Sequence, residues 1–462
     1  MDPSEVDYLV IGAGARGMAF ADHIIHHDPT ATVALVDKRS QPGGHWVDAY
    51  PFVRLHQPAL YYGVGSTVLG SGGRDLASKS VILDYYQRVQ QKLEATGRCR
   101  FLLSHSYEGE GRCRSLTEPD HVVTLRARRR LVDGVHVAVS VPSTRPPAFA
   151  VDPACTIQPL NTLTSLERAW SRFVVIGAGK TGMDAVLQLL KQGTDPDQIT
   201  WVVSRDPWVF VRDKLWPDEL ARIAVAHNRA ICSSRTWREI LDKLEKIAIF
   251  ERIWPDHEPA CFRCATVSLD ELEQLRRVSD VVRMGRVQRI EANRIVLDRG
   301  ERATGPEVLH VDCTAQGLPV WPVRPLFEPG RITLQSVLFC QPVASAALAA
   351  VAELGLPDDA TRNATLQTTL PPSTPEDLFT TLPILIGNIK AMMQHAPLRH
   401  FVFHNRLSMG PHFKWWHGAW LLLLTWWYQP RIDLIINRIA KSLPPRDTPS
   451  RRPLLTGAAS SA

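Results

Sequence analysis

At 462 residues the chain is too long for one ordinary hydrophobic core, so we expect two or three domains. Its content of 45% hydrophobic and 22% charged residues is typical of globular proteins and excludes a disordered chain. The net charge of +6 is mild for this length, and no stripe of Lys and Arg with interleaved aromatic residues is visible. We therefore expect no nucleic-acid partner.

The sequence also favours a cytoplasmic location. Its first residues lead directly into a predicted strand, without the basic and apolar regions of a signal peptide. Eight cysteines are scattered along the chain and do not resemble the disulfide framework of a secreted protein. The longest apolar run, 419–424, is far shorter than the roughly 20 residues that cross a bilayer.

A glycine-rich loop follows the first predicted strand. Residues 6–11 predict a buried parallel strand, which runs into the sequence Gly12-Ala13-Gly14-Ala15-Arg16-Gly17. Helical spacing follows over 18–25, and a second predicted strand, 32–36, ends at Asp37. Strand, loop, helix, strand and terminal acid in this order are the fingerprint of a dinucleotide-binding unit.

Each part of this fingerprint has a physical role. Gly12 permits the tight turn, Gly14 lets the backbone approach a pyrophosphate, and Gly17 lets the helix pack closely on the sheet. The helix N-terminus then faces the phosphates. Asp37 lies 20 residues after Gly17, where a carboxylate accepts hydrogen bonds from an unphosphorylated ribose such as that of FAD. We assign two neighbouring residues, Ala15 and Lys38, to the same site.

A second loop of the same kind predicts NADPH. It follows an apolar strand at 172–176, and the next predicted strand, 198–203, ends in Ser204-Arg205 in place of an acid. A carboxylate there would repel a 2′-phosphate, whereas a hydroxyl and a guanidinium bind it. The alternative is that Arg205 is merely solvated. The residues assigned to this site are Gly177, Gly179, Lys180, Thr181, Gly182, Ser204 and Arg205.

A distinctive stretch comes directly after the first acid-ended strand. It contains Gly43-Gly44-His45-Trp46, followed by Tyr50-Pro51-Phe52-Val53-Arg54-Leu55-His56-Gln57-Pro58. Paired glycines, a tryptophan and a tyrosine-proline stretch at this place resemble the FAD site of the flavin-containing monooxygenase superfamily. The resemblance implies that Gly44 and Trp46 approach the FAD and that His56 and Gln57 lie near its isoalloxazine. Ordinary packing is the alternative for Trp46 and His56.

The resemblance also implies an α/β fold of three-layer type with two Rossmann-like dinucleotide-binding domains. Residues 307–312 predict a strand that enters Cys313-Thr314-Ala315-Gln316-Gly317. This is similar to the turn that returns such chains to the FAD domain, and Gln316 is assigned to the cofactor site. The expected segments are 1–165 for the first part of the FAD domain, 166–304 for an inserted NADPH domain, 305–400 for the return and 401–462 for a C-terminal helical segment and tail.

The activity that the resemblance implies is that of a monooxygenase. NADPH would reduce FAD, and O₂ would oxygenate a small apolar or aromatic substrate. The sequence departs from those enzymes at 147–162, where a Phe-x-Gly-x-x-x-His-type motif is missing. An NADPH-dependent reductase or oxidase without oxygen transfer therefore stays open, as does a flavoprotein that only regulates a partner. Since the flavin carries the chemistry, the sequence indicates no catalytic side chain, and no metal site is expected.

Cys261-Phe262-Arg263-Cys264 is a C-x-x-C pair without an assigned role. It lies far from both places where similar dithiol reductases carry their cysteines, and no second pair completes a zinc site. We interpret these cysteines as structural or incidental. On this interpretation no dithiol is placed to take electrons from the flavin.

The C-terminal region holds five of the thirteen tryptophans, namely Trp415, Trp416, Trp420, Trp426 and Trp427. After them comes a helical apolar stripe of Ile432, Ile435, Ile436, Ile439 and Leu443, with Arg431, Arg438 and Lys441 on the other side. Packing against the body of the protein or against a homodimer partner is favoured. The wall of an apolar substrate pocket comes second, and a helix on a membrane surface comes last.

Overall fold

The structure is a computed structural model, and it describes residues 4–72, 74–137, 139, 141–314 and 321–444. Within these ranges two parallel sheets dominate, and each carries a glycine loop at the carboxyl end of a central strand. The predicted α/β fold with two Rossmann-like units is confirmed.

The first part of the chain forms a parallel sheet with a small antiparallel sheet on one face. Its elements in chain order are β1 (Glu5–Ile11), α1 (Ala15–His27), β2 (Val33–Val36), α2 (Lys79–Glu94), β3 (Cys99–Leu102), β4 (His105–Gly109), β5 (Arg112–Ser115), β6 (Val122–Thr124) and β7 (Arg126–Asp133). The parallel strands have the order β7-β1-β2-β3, and β4, β5 and β6 pair antiparallel. Since α1 packs on the opposite face, three layers result.

The second part forms a five-stranded parallel sheet and two smaller sheets. Its elements are β8 (Ala150–Val151), β9 (Thr156–Pro159), β10 (Arg172–Ile176), α3 (Lys180–Lys191), β11 (Ile199–Val202), β12 (Pro207–Val211), α4 (Pro217–Cys232), α5 (Trp237–Glu245), β13 (Phe250–Arg252), β14 (Cys261–Val267), α6 (Leu269–Arg276), β15 (Val281–Val282), β16 (Val287–Glu291), β17 (Arg294–Leu297), β18 (Gly300–Ala303) and β19 (Val308–Asp312). The parallel sheet has the order β15-β11-β10-β19-β9. The smaller sheets have the orders β13-β12-β14 and β18-β17-β16-β8.

The remaining residues return to the first sheet and then form helices. Their elements are β20 (Phe327–Glu328), β21 (Arg331–Thr333), α7 (Pro342–Gly355), α8 (Asp359–Thr365), α9 (Pro375–Gln394), α10 (Ala396–His404) and α11 (Trp415–Ser442). β21 pairs in parallel with β7 and extends the first sheet to the order β20-β21-β7-β1-β2-β3. α7 is rich in alanine and buried, and its small side chains let it pack closely against α1.

The second sheet takes strands from outside the predicted segment 166–304. β9 precedes that segment and β19 follows it, and β19 lies between β10 and β9. The strand predicted over 307–312 is therefore present but belongs to the second sheet, and β20 and β21 make the return to the first. The apolar pattern predicts a buried parallel strand without specifying its partners, because the strands of both sheets share that pattern.

The C-terminal helix α11 is attached through its second half. Ile435, Ile436 and Ile439 are buried in a core that α11 shares with α9, α5 and the β13-β12-β14 sheet, so the predicted apolar stripe is confirmed. The tryptophan-rich first half is not packed in this way, and Trp415 is 80% exposed. Among the described residues, no helix combines the length and the apolar content that crossing a membrane requires.

One glycine in each loop lets the following helix pack closely against the strand that precedes the loop. These glycines are Gly17 in the first loop and Gly182 in the second. A Cβ atom on Gly17 would lie 2.0 Å from the carbonyl oxygen of Gly12, and one on Gly182 would lie 1.9 Å from that of Gly177. Both contacts are with backbone atoms, which have no rotamer to change. In contrast, a Cβ on Gly179 would meet no protein atom within 4 Å. Gly182 and Gly179 of the second loop therefore have different roles, the first in packing and the second facing open space.

We expect Gly182→Ala to destabilise the protein by about 2–3 kcal/mol, or to prevent folding, because the added methyl group overlaps the backbone of Gly177. Gly179→Ala is the matched control and should cost about 1 kcal/mol or less, since its methyl group faces open space. Urea unfolding of both variants measures the difference. Equal losses of stability would contradict the packing role of Gly182.

Candidate nucleotide-binding cavity

A cavity of about 1150 Å³ extends between the two glycine loops. Its walls come from both Rossmann-like units and from the N-terminal end of α7. α1 begins at Ala15 and α3 begins at Lys180, so the N-termini of both helices open onto the cavity. Free backbone N–H groups and the helix dipole make such positions suited to anions.

At the first loop, the backbone is held by its own neighbours. Gly12 has a φ of +98°, a conformation that favours glycine, and its N–H donates to the carbonyl oxygen of Val36 at 2.7 Å. Asp37 is buried and accepts from the N–H of Ala13 at 2.8 Å and from the N–H of Arg39 at 2.9 Å. The carboxylate therefore fixes the loop and retains acceptor capacity toward the cavity.

Gly14 and Gly44 meet face to face at the same loop. A Cβ on Gly44 would lie 2.9 Å from the Cα of Gly14, and Gly44 has a φ of +59°. The N–H of Gly43 donates to the carbonyl oxygen of Ala13 at 3.0 Å, so a hydrogen bond joins the paired glycines to the first glycine loop. Trp46 follows in a short 3-10 helix, is buried, and donates from Nε1 to the hydroxyl of Tyr62 at 2.7 Å.

Arg16 is a half-buried cation at the N-terminus of α1, and its Nε is buried. One guanidinium nitrogen, Nη1, donates to the carbonyl oxygen of Val137 at 3.0 Å, while Nε has no partner among the described residues. Burial lowers the pKa of Arg16 to about 10, and no carboxylate of the described chain pairs with it. The pKa of the neighbouring His45 is lowered to about 4, first by desolvation and then by the charges of Arg16 and Arg39. A partly desolvated cation without an acidic partner would be stabilised by a bound anion.

The middle of the cavity carries a hydrogen-bonded group of three side chains. The hydroxyl of Tyr50 donates to Asp184 on α3, and Lys180 donates to the same carboxylate. Burial raises the pKa of Tyr50 well above its ordinary value, and the charge of Asp184 adds to that shift. Tyr50 therefore remains a neutral hydroxyl in the physiological range.

His56 and Gln57 lie in the wall beside this group. Burial lowers the pKa of His56 to about 3, and the charges of Lys180 and Arg212 contribute, so the imidazole is neutral at neutral pH. Its Nδ1 has no partner within the described part of the chain. Gln57 accepts from the amide of Gln341, the residue before α7, at 3.4 Å.

The second loop presents its open end to the cavity. Gly177 has a φ of +121°, and its N–H donates to the carbonyl oxygen of Val202 at 3.0 Å. Ser204 and Arg205 follow β11 at the same edge of the sheet and line the cavity, as does Arg286 after β15. The next residue, Asp206, is paired with Arg283 at 3.0 Å, whereas none of the described residues pairs with the guanidinium of Arg205.

Most residues predicted for the two sites line this one cavity. They are Gly12, Gly14, Ala15, Asp37, Gly44, Trp46, His56, Gln57, Gly177, Gly179, Lys180, Thr181, Ser204 and Arg205. Gly17 and Gly182 pack beneath their helices instead, as their predicted spacing role requires. Lys38 is exposed and lies outside the cavity wall, because the strand before it ends with the buried Asp37 and the chain turns outward. Gln316 lies outside the described residues.

One feature of the wall is missed by the sequence prediction. Cys264 forms a disulfide with Cys340, 76 residues away, and Cys261 is free. Both linked cysteines line the cavity. The sequence analysis does not predict this pairing, because C-x-x-C spacing directs attention to a pair within β14, while the fold brings Cys264 next to Cys340, just before α7.

No protein-family model matches the chain. Uncharacterized protein Rv2000 of Mycobacterium tuberculosis (strain ATCC 25618 / H37Rv) is 42% identical over 422 residues, which cover 88% of this chain and 78% of the relative. Uncharacterized protein Mb2023 of Mycobacterium bovis (strain ATCC BAA-935 / AF2122/97) has the same identity and coverage. Fold and cavity define a protein with two Rossmann-like units whose glycine loops face one cavity. Within that class, the chain belongs to the same family as these two mycobacterial proteins.

Several solved structures are also similar. OTEMO in complex with FAD and NADP (form 3) has a TM-score of 0.48 and 15% identity, and the match covers 76% of this chain and 84% of that one. An open structure of cyclohexanone monooxygenase has a TM-score of 0.46, 17% identity and coverages of 76% and 88%. The flavin-containing monooxygenase from Stenotrophomonas maltophilia has a TM-score of 0.42, 14% identity and coverages of 74% and 88%.

Proposed function

We propose that the protein is an oxidoreductase that binds FAD at the first glycine loop and NADPH at the second. The observation that carries the proposal is the pairing of two glycine loops across one cavity, with an acid at the end of one strand and Ser204-Arg205 at the end of the other. Opposite endings suit an unphosphorylated and a 2′-phosphorylated ribose. At each loop, the polar groups that line the cavity fit the nucleotide that we assign to that loop.

At the first loop the residues fit a diphosphate flanked by a ribose. Arg16 is half-buried and lacks an acidic partner among the described residues, so a diphosphate would neutralise it. The close contact between Gly14 and Gly44 leaves backbone and no side chain beside the helix N-terminus. Asp37 would accept from ribose hydroxyls with the lone pairs that Ala13 and Arg39 leave free.

At the second loop the residues fit a 2′-phosphate. Gly179 faces open space at the N-terminus of α3, where a diphosphate would lie. The guanidinium of Arg205 lines the cavity without a described partner, and Arg286 contributes to the same wall from the segment between β15 and β16. Two arginines beside a serine hydroxyl form a phosphate-binding group that would discriminate between NADPH and NADH.

The first loop with Asp37 would hold FAD and the second loop with Arg205 would hold NADPH, and the pair of cofactors would supply hydride transfer and onward electron transfer to a further acceptor. The chain's own residues would orient the two nucleotides across the cavity. The neutral Tyr50, fixed by Asp184, would offer a hydroxyl between the loops, and the neutral His56 would offer a nitrogen that no protein atom occupies. Lys180 donates a hydrogen bond to Asp184 and so helps to position Tyr50. Lys180 also lies at the second glycine loop.

For the final acceptor we favour O₂ and a small apolar substrate, hence a monooxygenase. The support is an apolar part of the wall that would exclude water from the reacting atoms, formed by Phe210, Leu215, Leu220, Leu370 and Met409. A second candidate, an NADPH-dependent reductase, is favoured by the disulfide between Cys264 and Cys340 in the same wall. Reduction of this disulfide would take two electrons and two protons and yield two thiols.

The purified protein should release FAD on denaturation, in about one copy per chain. Gly14→Val should abolish FAD retention, because its branched side chain would press against Gly44 and displace the backbone beside the helix N-terminus where the diphosphate is expected. Gly387→Val, at an open position of α9, is the control that should retain FAD. Absorbance and mass of the released cofactor are the measurements. A folded Gly14→Val variant with full FAD would contradict the assignment of the first loop.

Arg205→Ala should weaken NADPH binding by about 1.5–3 kcal/mol, or roughly tenfold to a hundredfold, and leave NADH nearly unchanged. The reason is that only NADPH carries the phosphate that the guanidinium would bind. Titration calorimetry or flavin-reduction rates with each nucleotide measure the effect. An equal loss for both nucleotides would assign Arg205 a structural role instead.

The fate of the electrons separates the two candidates. With ¹⁸O₂ and a library of small apolar compounds, a monooxygenase should place one labelled oxygen atom in the product for each NADPH consumed. A reductase should consume NADPH without O₂ and convert the Cys264–Cys340 pair to two alkylatable thiols, a gain that the double variant Cys264→Ser, Cys340→Ser lacks. Conversion of all NADPH to hydrogen peroxide with every substrate would exclude both in favour of an oxidase.

A further inference from the structure

The first half of α11 exposes an apolar surface. Trp415, Trp426 and Trp427 are 80%, 74% and 70% exposed, and Leu422 and Leu423 are both more than half exposed. Trp416 and Trp420 extend the same surface. No charged residue occurs between Lys414 and Arg431. We call the exposed side chains of 415–427 the tryptophan face. Large exposed apolar surfaces of this kind mark interaction sites.

The contacts of α11 with the rest of the protein leave the tryptophan face exposed to solvent. Its second half is anchored by the buried Ile435, Ile436 and Ile439, while in the first half Leu424 is the buried side chain among the described residues. Asp433 also accepts from Lys390 on α9, which ties the middle of α11 to the body. The tryptophan face therefore belongs to a helix that is attached to the body of the protein, and it remains exposed on that helix.

The stretch of chain that contains this face is strongly positive. Residues 378–444 contain seven Lys and Arg residues and a single acid, Asp433, which is already paired with Lys390. This region thus carries a net charge equal to the +6 of the whole chain. Exposed cations flank the apolar side chains along the helix and on the adjacent α10, namely Arg399, Lys414, Arg431, Arg438 and Lys441.

This combination fits an anionic lipid surface better than a second copy of the chain. Two copies meeting at this face would bring two strongly positive regions together, which is unfavourable. Anionic headgroups would instead pair with the flanking cations, tryptophans prefer the boundary between headgroups and acyl chains, and Leu422 and Leu423 would enter the acyl region. We propose that the tryptophan face docks the protein on an anionic lipid surface, with α11 lying in the plane of the interface.

The proposed docking surface is continuous with the cavity wall. Met409, just before α11, is 38% exposed and also lines the cavity. Leu220 lines the cavity from α4, the helix on which α11 packs. An apolar compound dissolved in the lipid would therefore meet the cavity close to the docked face. The docking does not require the proposed redox function and is tested without it.

The test is flotation of the full-length protein with vesicles of phosphatidylcholine alone and of phosphatidylcholine with an equal amount of phosphatidylglycerol. We expect at least tenfold tighter binding to the anionic vesicles, weakened by salt. Binding should fall at least tenfold in the variant Trp415→Ser, Trp426→Ser, Trp427→Ser and in the variant Lys414→Glu, Arg431→Glu. The control variant Val68→Ser, Leu116→Ser removes exposed apolar side chains elsewhere and should bind as the original chain does.

Acyl chains brominated near the headgroup should quench tryptophan fluorescence in the original chain and quench it less in the triple variant. Unchanged vesicle binding by the triple variant would overturn the proposal. A dimer in light scattering that the triple variant breaks, together with no vesicle binding, would also overturn it and assign the face to contact between two copies.

Discussion

The cavity depends on how closely each glycine loop brings its helix to the preceding strand. At Gly17 and at Gly182 the space between the α-carbon and a backbone carbonyl holds a hydrogen atom and nothing larger. This contact sets the direction of α1 and of α3, and so directs both helix N-termini into the same space. Every other feature of the site, from the acid at Asp37 to the guanidinium of Arg205, is positioned relative to those two helices.

Electrostatics then distinguishes the two ends of the cavity. Near the first loop Asp37 already accepts from backbone N–H groups, and the half-buried Arg16 lacks an acidic partner among the described residues. Near the second loop an arginine without a described partner lines the wall, while its neighbour Asp206 is neutralised by Arg283. A desolvated cation is costly unless an anion compensates it, so Arg16 couples the stability of the first unit to whatever anion binds there.

Local sequence was sufficient to predict the two loops, their strands and the residues that face the cavity, because those properties follow from spacing within about 35 residues. Strand partners were not predictable in the same way. β19 has the apolar pattern of a returning strand but pairs with β10 and β9, and that choice depends on packing between distant segments. Arg16 could have been identified as a site residue, since a charged side chain inside a glycine loop lies at a helix N-terminus.

The disulfide was beyond the reach of spacing rules for the same reason. Cys264 and Cys340 are separated by 76 residues, and the fold alone brings β14 to the start of α7.

The C-terminal helix was predicted correctly in one half and not in the other. Its isoleucine stripe follows from helical periodicity and is buried as predicted, whereas exposure of the tryptophans could not be read from composition, because aromatic residues are ordinarily counted as core.

The link between Cys264 and Cys340 also gives the chain a different topology. Residues 264–340 form a closed covalent ring that includes the last strand of the second sheet and the two strands that return to the first. Closing a ring of this length restricts the unfolded chain by roughly 4–5 kcal/mol in loop-closure entropy. The two units are thus tethered through a segment that cannot fully extend while the link is intact, and the resistance of the chain to unfolding becomes a function of the thiol reductant around it.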